Sequence, residues 1–319
     1  MAFAVAIHKT PRGAGGGADP LGELARQHGT LGSVVAGRTP SKVLDERSSA
    51  RLTLVSTNPP DRLVRYLIAD VAHTGLDRDD HLERWTAAPW AGGVPAGVRD
   101  PATATRLAPC QPSKILCIGL NYIEHIAESL TVAPGANAPP AEPLCFLKPP
   151  SAVLAPGASI VKPTGLDRLD PEGEVALVVG RRARHVREDE ALAYVAGVTA
   201  FNDVSARDWQ KQDGQWSRAK GSDTFAPFGP CIALGLDPRD LGLELAVNGE
   251  IRQRARTSQL HFGPAFLVSF LSRHLTLEPG DVIATGTPAG IAPIVPGDVV
   301  TVTVEGVGTL RNPVVAESL

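Results

Sequence analysis

The cysteines of this sequence form no redox or metal motif. Cys110, Cys117, Cys145 and Cys231 make no C-x-x-C pair, and a chain of 319 residues can bury enough surface to fold without disulfides. A reducing compartment is the expected home. An excess of positive charge is also lacking. Lys and Arg number 31 against 34 Asp and Glu, a formal net charge of -3, so no basic field is on offer to a nucleic acid backbone. No window approaches the roughly 18 apolar residues of a membrane span. The stretch from Met1 to Gly17 lacks the charged-then-apolar order of a signal peptide. Neither G-x-G-x-x-G nor a P-loop occurs. These absences predict a cytoplasmic globular protein that acts on a small molecule, with neither nucleic acid nor membrane as partner. A content of 43% hydrophobic and 20% charged residues fits that class.

What is present changes character along the chain. Residues 1 to 50 are rich in Gly, Ala, Ser and Arg and read as a poorly ordered or loosely attached extension. Residues 51 to 111 read as a small N-terminal region with a linker. Within them Leu52 to Val55 suits a short strand, Asp61 to Val71 has helix-like apolar spacing after Pro59-Pro60, and Pro89 to Pro101 has a linker's Pro/Gly content. From Ser113 onward strand-like runs recur, at Ile115 to Ile118, Val175 to Val179, Ile232 to Leu234, Leu243 to Val247, Val282 to Thr285 and Val299 to Val304. Asn248-Gly249 between two such runs signals a hairpin. Pro279-Gly280 and Pro296-Gly297 suit type II turns. In this region helical spacing is confined to Tyr122 to Leu130, Glu188 to Tyr194, and Pro264 to Leu271. The expected fold is mainly β (α+β), with a few covering helices over residues 112 to 316, and not an alternating βαβ pattern.

Glu172-Gly173-Glu174 stands in front of the buried-strand run Val175 to Val179. On a strand, positions i and i+2 project from one face, roughly 7 Å apart. Like charges held side by side call for something positive between them. Asp203 also follows an apolar strand-like run. Three hard oxygen ligands with no cysteine nearby suit Mg2+ or Mn2+ better than zinc. The alternative is a set of solvated carboxylates at a strand entrance. His125 and Glu128 lie three apart in a candidate helix, where a carboxylate beside an imidazole makes a water-activating base; an exposed His-Glu pair is the alternative. Arg207 offers a bidentate fork for a carboxylate, and Gln210 offers both a donor and an acceptor. Lys220 suits offsetting the carboxylates or steadying an enolate; a surface lysine is the alternative. The small loop Thr285 to Gly290 lets backbone approach a ligand; an ordinary turn is the alternative.

The order of motifs resembles the catalytic domain of the fumarylacetoacetate hydrolase superfamily. Pro112 to Tyr122, with His125 and Glu128, opens it. Phe146-Leu147-Lys148-Pro149, Glu172-Gly173-Glu174, Asn202 to Gln210, Lys220 to Phe225, Val247 to Glu250 and Leu277 to Pro288 follow in order. The match covers about 112 to 316. The resemblance implies a β-roll that usually forms homodimers, and Mg2+ or Mn2+ on Glu172, Glu174 and Asp203. It further implies a His125–Glu128 dyad on a lid-like segment, Lys220 by the metal, and Arg207, Gln210, Thr287 and Lys148 on the substrate side. Pro171 stands where many relatives carry an aromatic residue, which predicts a differently shaped strand entrance. Segment 129 to 143, with its Pro/Ala/Gly content, reads as a mobile lid. The implied substrates are 2-oxo acids or 1,3-dicarbonyl compounds, and the leading expectation is C–C hydrolysis of an acylpyruvate. The alternatives are a decarboxylase or enol–keto isomerase of a catechol-breakdown intermediate, and a non-catalytic binding protein on the same fold.

Overall fold

The computed structural model describes residues 59–128 and 139–318, with the side chains of 126–128 outside that description. The chain divides into Met1–Ala50 and Arg51–Leu319, and every described element belongs to the second unit. The extension expected over 1 to 50, the short strand at Leu52 and most of the expected lid therefore lie outside the described residues.

Strands dominate, as the recurring β-branched runs predict. The long sheet runs, strand by strand, Pro95–Pro101, His81–Trp85, Val71–Asp77, Arg62–Ile68, Ala226–Leu234, Val195–Asn202, Gly173–Val179, Val282–Ala284, Ile115–Gly119 and Leu144–Lys148. Neighbours in it are antiparallel except Val282–Ala284 beside Ile115–Gly119. A second sheet orders Glu250–Arg256, Gly242–Val247, Val299–Val304, Gly308–Ala316 and Ile160–Lys162. The central strand Gly173–Val179 is buried at every position, so its pattern is continuous and apolar. Its faces still alternate. Val175, Leu177 and Val179 share a core with Leu243, Leu245, Val300 and Val302 of the second sheet. Ala176 and Val178 share the other core with Leu63, Phe201 and Phe228. Glu172 and Glu174 have the parity of Ala176 and Val178, which sets them on the face away from the second sheet.

Asn248 and Gly249 take φ of 53° and 85° between paired strands, the left-handed pair a type I′ turn requires. Gly280 and Gly297 take φ of 90° and 100°, as type II turns require.

Three local expectations differ from the structure. Asp61 to Val71 is not a helix but the hairpin Arg62–Ile68 and Val71–Asp77, turning on Ala69 and Asp70 at φ of 48° and 63°. Leu63 pairs with Ile232 of the core strand, and completing that sheet outweighs helical spacing in so short a run. The expected linker instead holds a 3-10 turn, Pro89–Ala91, and the edge strand Pro95–Pro101, where proline costs no ladder bond. Glu188–Tyr194 is 3-10 rather than α. The other expected helices form at Ile123–Glu128 and Pro264–His274. No helix among the described residues is long and apolar enough to cross a membrane.

Candidate active site

Antiparallel pairing assembles the carboxylates. Gly173 lies opposite Asn202 and Glu174 opposite Phe201. The Asp203 amide donates to the Glu172 carbonyl at 2.8 Å, and the Glu172 amide donates to Asn202 Oδ1 at 2.9 Å. Oxygens of Glu172, Glu174 and Asp203 come within 4.8 Å of one another. The three side chains are 3%, 1% and 2% exposed, so a solvated strand entrance is not what this chain builds.

Such a cluster needs cations. Lys220 Nζ donates to Glu172 Oε2 and to Asp203 Oδ2, each at 2.6 Å. Burial pulls the Lys220 ammonium down, but Asp203 and Glu172 more than offset it and its pKa ends raised. Arg207 donates through Nη2 to Glu172 and through Nε to Asp170 at 2.8 Å, while its Nη1 meets Gln210 Oε1 at 2.8 Å. Burial pushes Glu172 up, yet the charges of Arg207, Lys220 and His125 together hold it well below the usual range. Glu174 goes the other way. Burial and then the Asp203 charge push it well above, although the Gly286 amide donates to it at 2.7 Å.

Lys148 Nζ donates to the carbonyls of Val204, Lys220 and Phe225 at 3.1, 2.5 and 2.7 Å, which occupies its three protons. It is also ion-paired with Asp203 Oδ1 at 2.6 Å. Three buried carboxylates whose oxygens come within 4.8 Å of one another, with no sulfur ligand, fit a hard divalent cation. Glu172, Glu174 and Asp203 would hold Mg2+ or Mn2+.

The helix Ile123–Glu128 brings a base to this cluster. Asn121 pins its start, donating to the Thr285 and Phe262 carbonyls at 2.7 and 3.0 Å and accepting from the Phe262 amide at 2.7 Å. His125 is buried, with Nε2 3.9 Å from Glu172 Oε1. Glu128 closes the same helix, and its side chain lies outside the described residues.

His125, Glu172, Glu174, Asp203, Arg207, Gln210, Lys220 and Thr287 all line one narrow cavity of about 30 Å³, room for a water or two. Lys148 lies behind it, wholly buried. A cleft of about 530 Å³ shares Phe146, Arg207, Gln210 and Trp216 with that cavity. The Thr287 hydroxyl donates to the Gly173 carbonyl at 2.9 Å and accepts from Gln253 Nε2 at 2.8 Å. Its proton is thus tied to the backbone.

Sequence reasoning missed several members. Asp170 shares its parity with Glu172 and Glu174, so extending the i, i+2 series back one step would have found it. Phe146 shares its parity with Lys148 in the strand Leu144–Lys148. Gln253 accepts from the Gly173 amide at 2.9 Å and donates to Thr287 and to the Pro288 carbonyl at 2.7 Å. It sits on a distant hairpin strand, and no local signal points to it.

Comparison with known proteins agrees with this arrangement. A family described as Fumarylacetoacetate (FAA) hydrolase C-terminal matches residues 114–315. Oxaloacetate tautomerase fahd2, mitochondrial, of Xenopus laevis is 40% identical over 223 residues, 66% of this chain and 68% of its own. The crystal structure of 2-hydroxyhepta-2,4-diene-1,7-dioate isomerase from Mycobacterium marinum superposes with a TM-score of 0.73 at 40% identity, covering 81% of this chain and 100% of that one. That of maleylpyruvate hydrolase from Sphingobium sp. SYK-6, in complex with manganese (II) ion and pyruvate, gives 0.65 at 27% identity, with 81% and 100% covered.

Proposed function

This chain belongs to the fumarylacetoacetate hydrolase family, and on that premise we propose that it hydrolyses a C–C bond in an acylpyruvate-type 2-oxo acid. The observation that carries the reading is the confined inner cavity of about 30 Å³, which His125 lines together with the carboxylate cluster, its Nε2 3.9 Å from Glu172 Oε1. A bound Mg2+ or Mn2+ would polarise the two chelating oxygens of a 1,3-dicarbonyl compound. Lys220 holds Glu172 and Asp203 through two of its protons and keeps a third for the 2-oxo oxygen as charge develops there. His125 takes the proton of the water that attacks the distal carbonyl. The C–C bond then breaks, the departing carbon is protonated, and the products are pyruvate and a carboxylate. Arg207 acts by fixing Glu172, because its fork is already engaged there and on Asp170.

The second reading, enol–keto isomerisation, is supported by the Mycobacterium marinum neighbour. It uses the same cluster with no water added. An NMR time course with Mg2+, offering an acylpyruvate and oxaloacetate separately, divides the two. Pyruvate plus a carboxylate from the acylpyruvate is the expected outcome. Enol–keto exchange alone, with both carbon skeletons intact, transfers the assignment to the isomerase. In His125→Ala hydrolysis falls by at least about 100-fold, while the Mg2+-dependent rise in Tm persists. Unchanged turnover in that variant removes His125 from the mechanism.

A further inference from the structure

Gln253 reaches the site from the hairpin strand Glu250–Arg256. That strand pairs Ile251 with Ala246 and then Gln253 with Leu245, so Arg252 is the extra residue of a β-bulge. Residues directly opposite share a face, and Leu245 belongs to the core. The bulge therefore turns Gln253 inward, where Arg252 would otherwise point. Gln253 is 1% exposed, while Arg252 and Arg254 on either side are exposed. A Cβ on Gly173 would lie 2.9 Å from Leu245 Cβ, and one on Gly290 would lie 2.0 Å from the Arg252 carbonyl oxygen. The two glycines thus let the bulge close on the strand between Glu172 and Glu174 and on the loop that carries Thr287.

Its hydrogen bonds fix which end of the Gln253 amide is which. Oε1 accepts from the Gly173 amide, and Nε2 donates to the Pro288 carbonyl. The flipped amide would set donor against donor and acceptor against acceptor. The second Nε2 proton goes to Thr287 Oγ1 at 2.8 Å, and the Thr287 hydroxyl directs its own proton to the Gly173 carbonyl at 2.9 Å. A hydroxyl oxygen has two lone pairs, so one remains. Thr287 lines the inner cavity, and what it has left to offer there is an acceptor. We propose that Gln253 is a positioning residue that makes Thr287 a one-way acceptor for an O–H group of the reacting molecules. The proposal rests on the hydrolase reading, in which that group is the attacking water. His125 takes one proton of the water, and the water oxygen bonds to the distal carbonyl carbon. The other hydrogen stays on that oxygen and is held by Thr287 Oγ1. In the isomerase reading the O–H group is an enol hydroxyl.

The test is a double-mutant cycle on the Mg2+-loaded protein, with wild type, Gln253→Met, Thr287→Val and the double variant. Pyruvate release from an acylpyruvate and enol–keto exchange of oxaloacetate are followed separately by NMR. Each single variant is expected to lower kcat for pyruvate release about tenfold, the worth of one hydrogen bond to the reacting group, with KM little changed. The double variant also falls about tenfold rather than about 100-fold, because Gln253 has nothing to act on once the hydroxyl is gone. Urea midpoints of the four metal-free proteins show the same coupling, and the Mg2+-induced rise in Tm persists in Gln253→Met. Losses that multiply in kcat or add in the urea midpoint overturn the proposal. So does loss of the Mg2+ response together with turnover in Gln253→Met, which would mean that Gln253 acts through Gly173 on the carboxylates. Wild-type kcat in Thr287→Val overturns it alone, whatever the folding of Gln253→Met. No pyruvate release by wild type, with the coupling present in enol–keto exchange, sinks the hydrolase reading and leaves Gln253 acting through Thr287 on an enol hydroxyl. Turnover of neither substrate sinks both.

Discussion

At the residue scale the site is a balance of buried charge. Asp170, Glu172, Glu174 and Asp203 are buried and, among the described residues, the buried cations beside them are Lys148, Arg207 and Lys220. The pairing is uneven. Glu172 has Arg207 and Lys220, whereas Glu174 has one backbone amide and a neighbouring negative charge. Its folded pKa lies above its unfolded one, so its contribution to stability is present in acid and is lost as pH rises through the raised value. A metal-free Glu174→Gln variant should therefore gain on metal-free wild type as pH climbs above the ordinary carboxylate range. The same variant should lose the Mg2+-induced rise in Tm. Thermal melts across pH, with and without Mg2+, check both. A Tm difference that stays flat with pH contradicts the buried-charge account of Glu174.

At the element scale the site depends on where strand ends and loops touch. Gly286 has φ of 108°, and a Cβ there would lie 2.8 Å from Asn121 Cβ. Asn121 pins the helix that carries His125, and the Gly286 amide serves Glu174. Gly286→Ala should thus disturb the base and the metal cluster at once. Strain of this kind costs about 1–3 kcal/mol, readable in urea unfolding, together with a fall in kcat and a weaker Mg2+ effect on Tm. A variant with wild-type stability and turnover would mean the loop gives way without moving Asn121. Elements were legible where pattern and environment agree. Val175 to Val179 reads as a buried strand and is one, and Asn248-Gly249 can hardly be other than a hairpin turn. Asp61 to Val71 misled because Leu63, Val64, Leu67 and Ile68 fit helical spacing and also a sheet-forming hairpin. The partner that decides, Ile232, is remote in sequence.

At the scale of the whole molecule, Val175 to Val179 sits between two cores, and the carboxylates cap its entrance on one face. A cation that binds only this folded arrangement stabilises it by mass action. Mg2+ at about 100 times its Kd should add about 2.7 kcal/mol. The urea midpoint should rise with no change in the m-value, because the surface exposed on unfolding is the same. Chelation with EDTA should reverse the gain. No response to Mg2+ or Mn2+ at millimolar concentration would count against the cluster as a metal site.

The sequence by itself determined the family, the β-rich catalytic region and the carboxylates Glu172, Glu174 and Asp203. These follow from local order, since i, i+2 parity on a strand and the succession of motifs are properties of the chain alone. Only the tertiary structure decided what each group is bonded to. It turned Arg207 toward Asp170 and Glu172, tied the Thr287 hydroxyl to Gly173, and brought in Gln253 from a distant hairpin. Parity and period constrain which way a side chain points. Its partner is set by which strands pair across long loops, and that is decided by burial of the whole core.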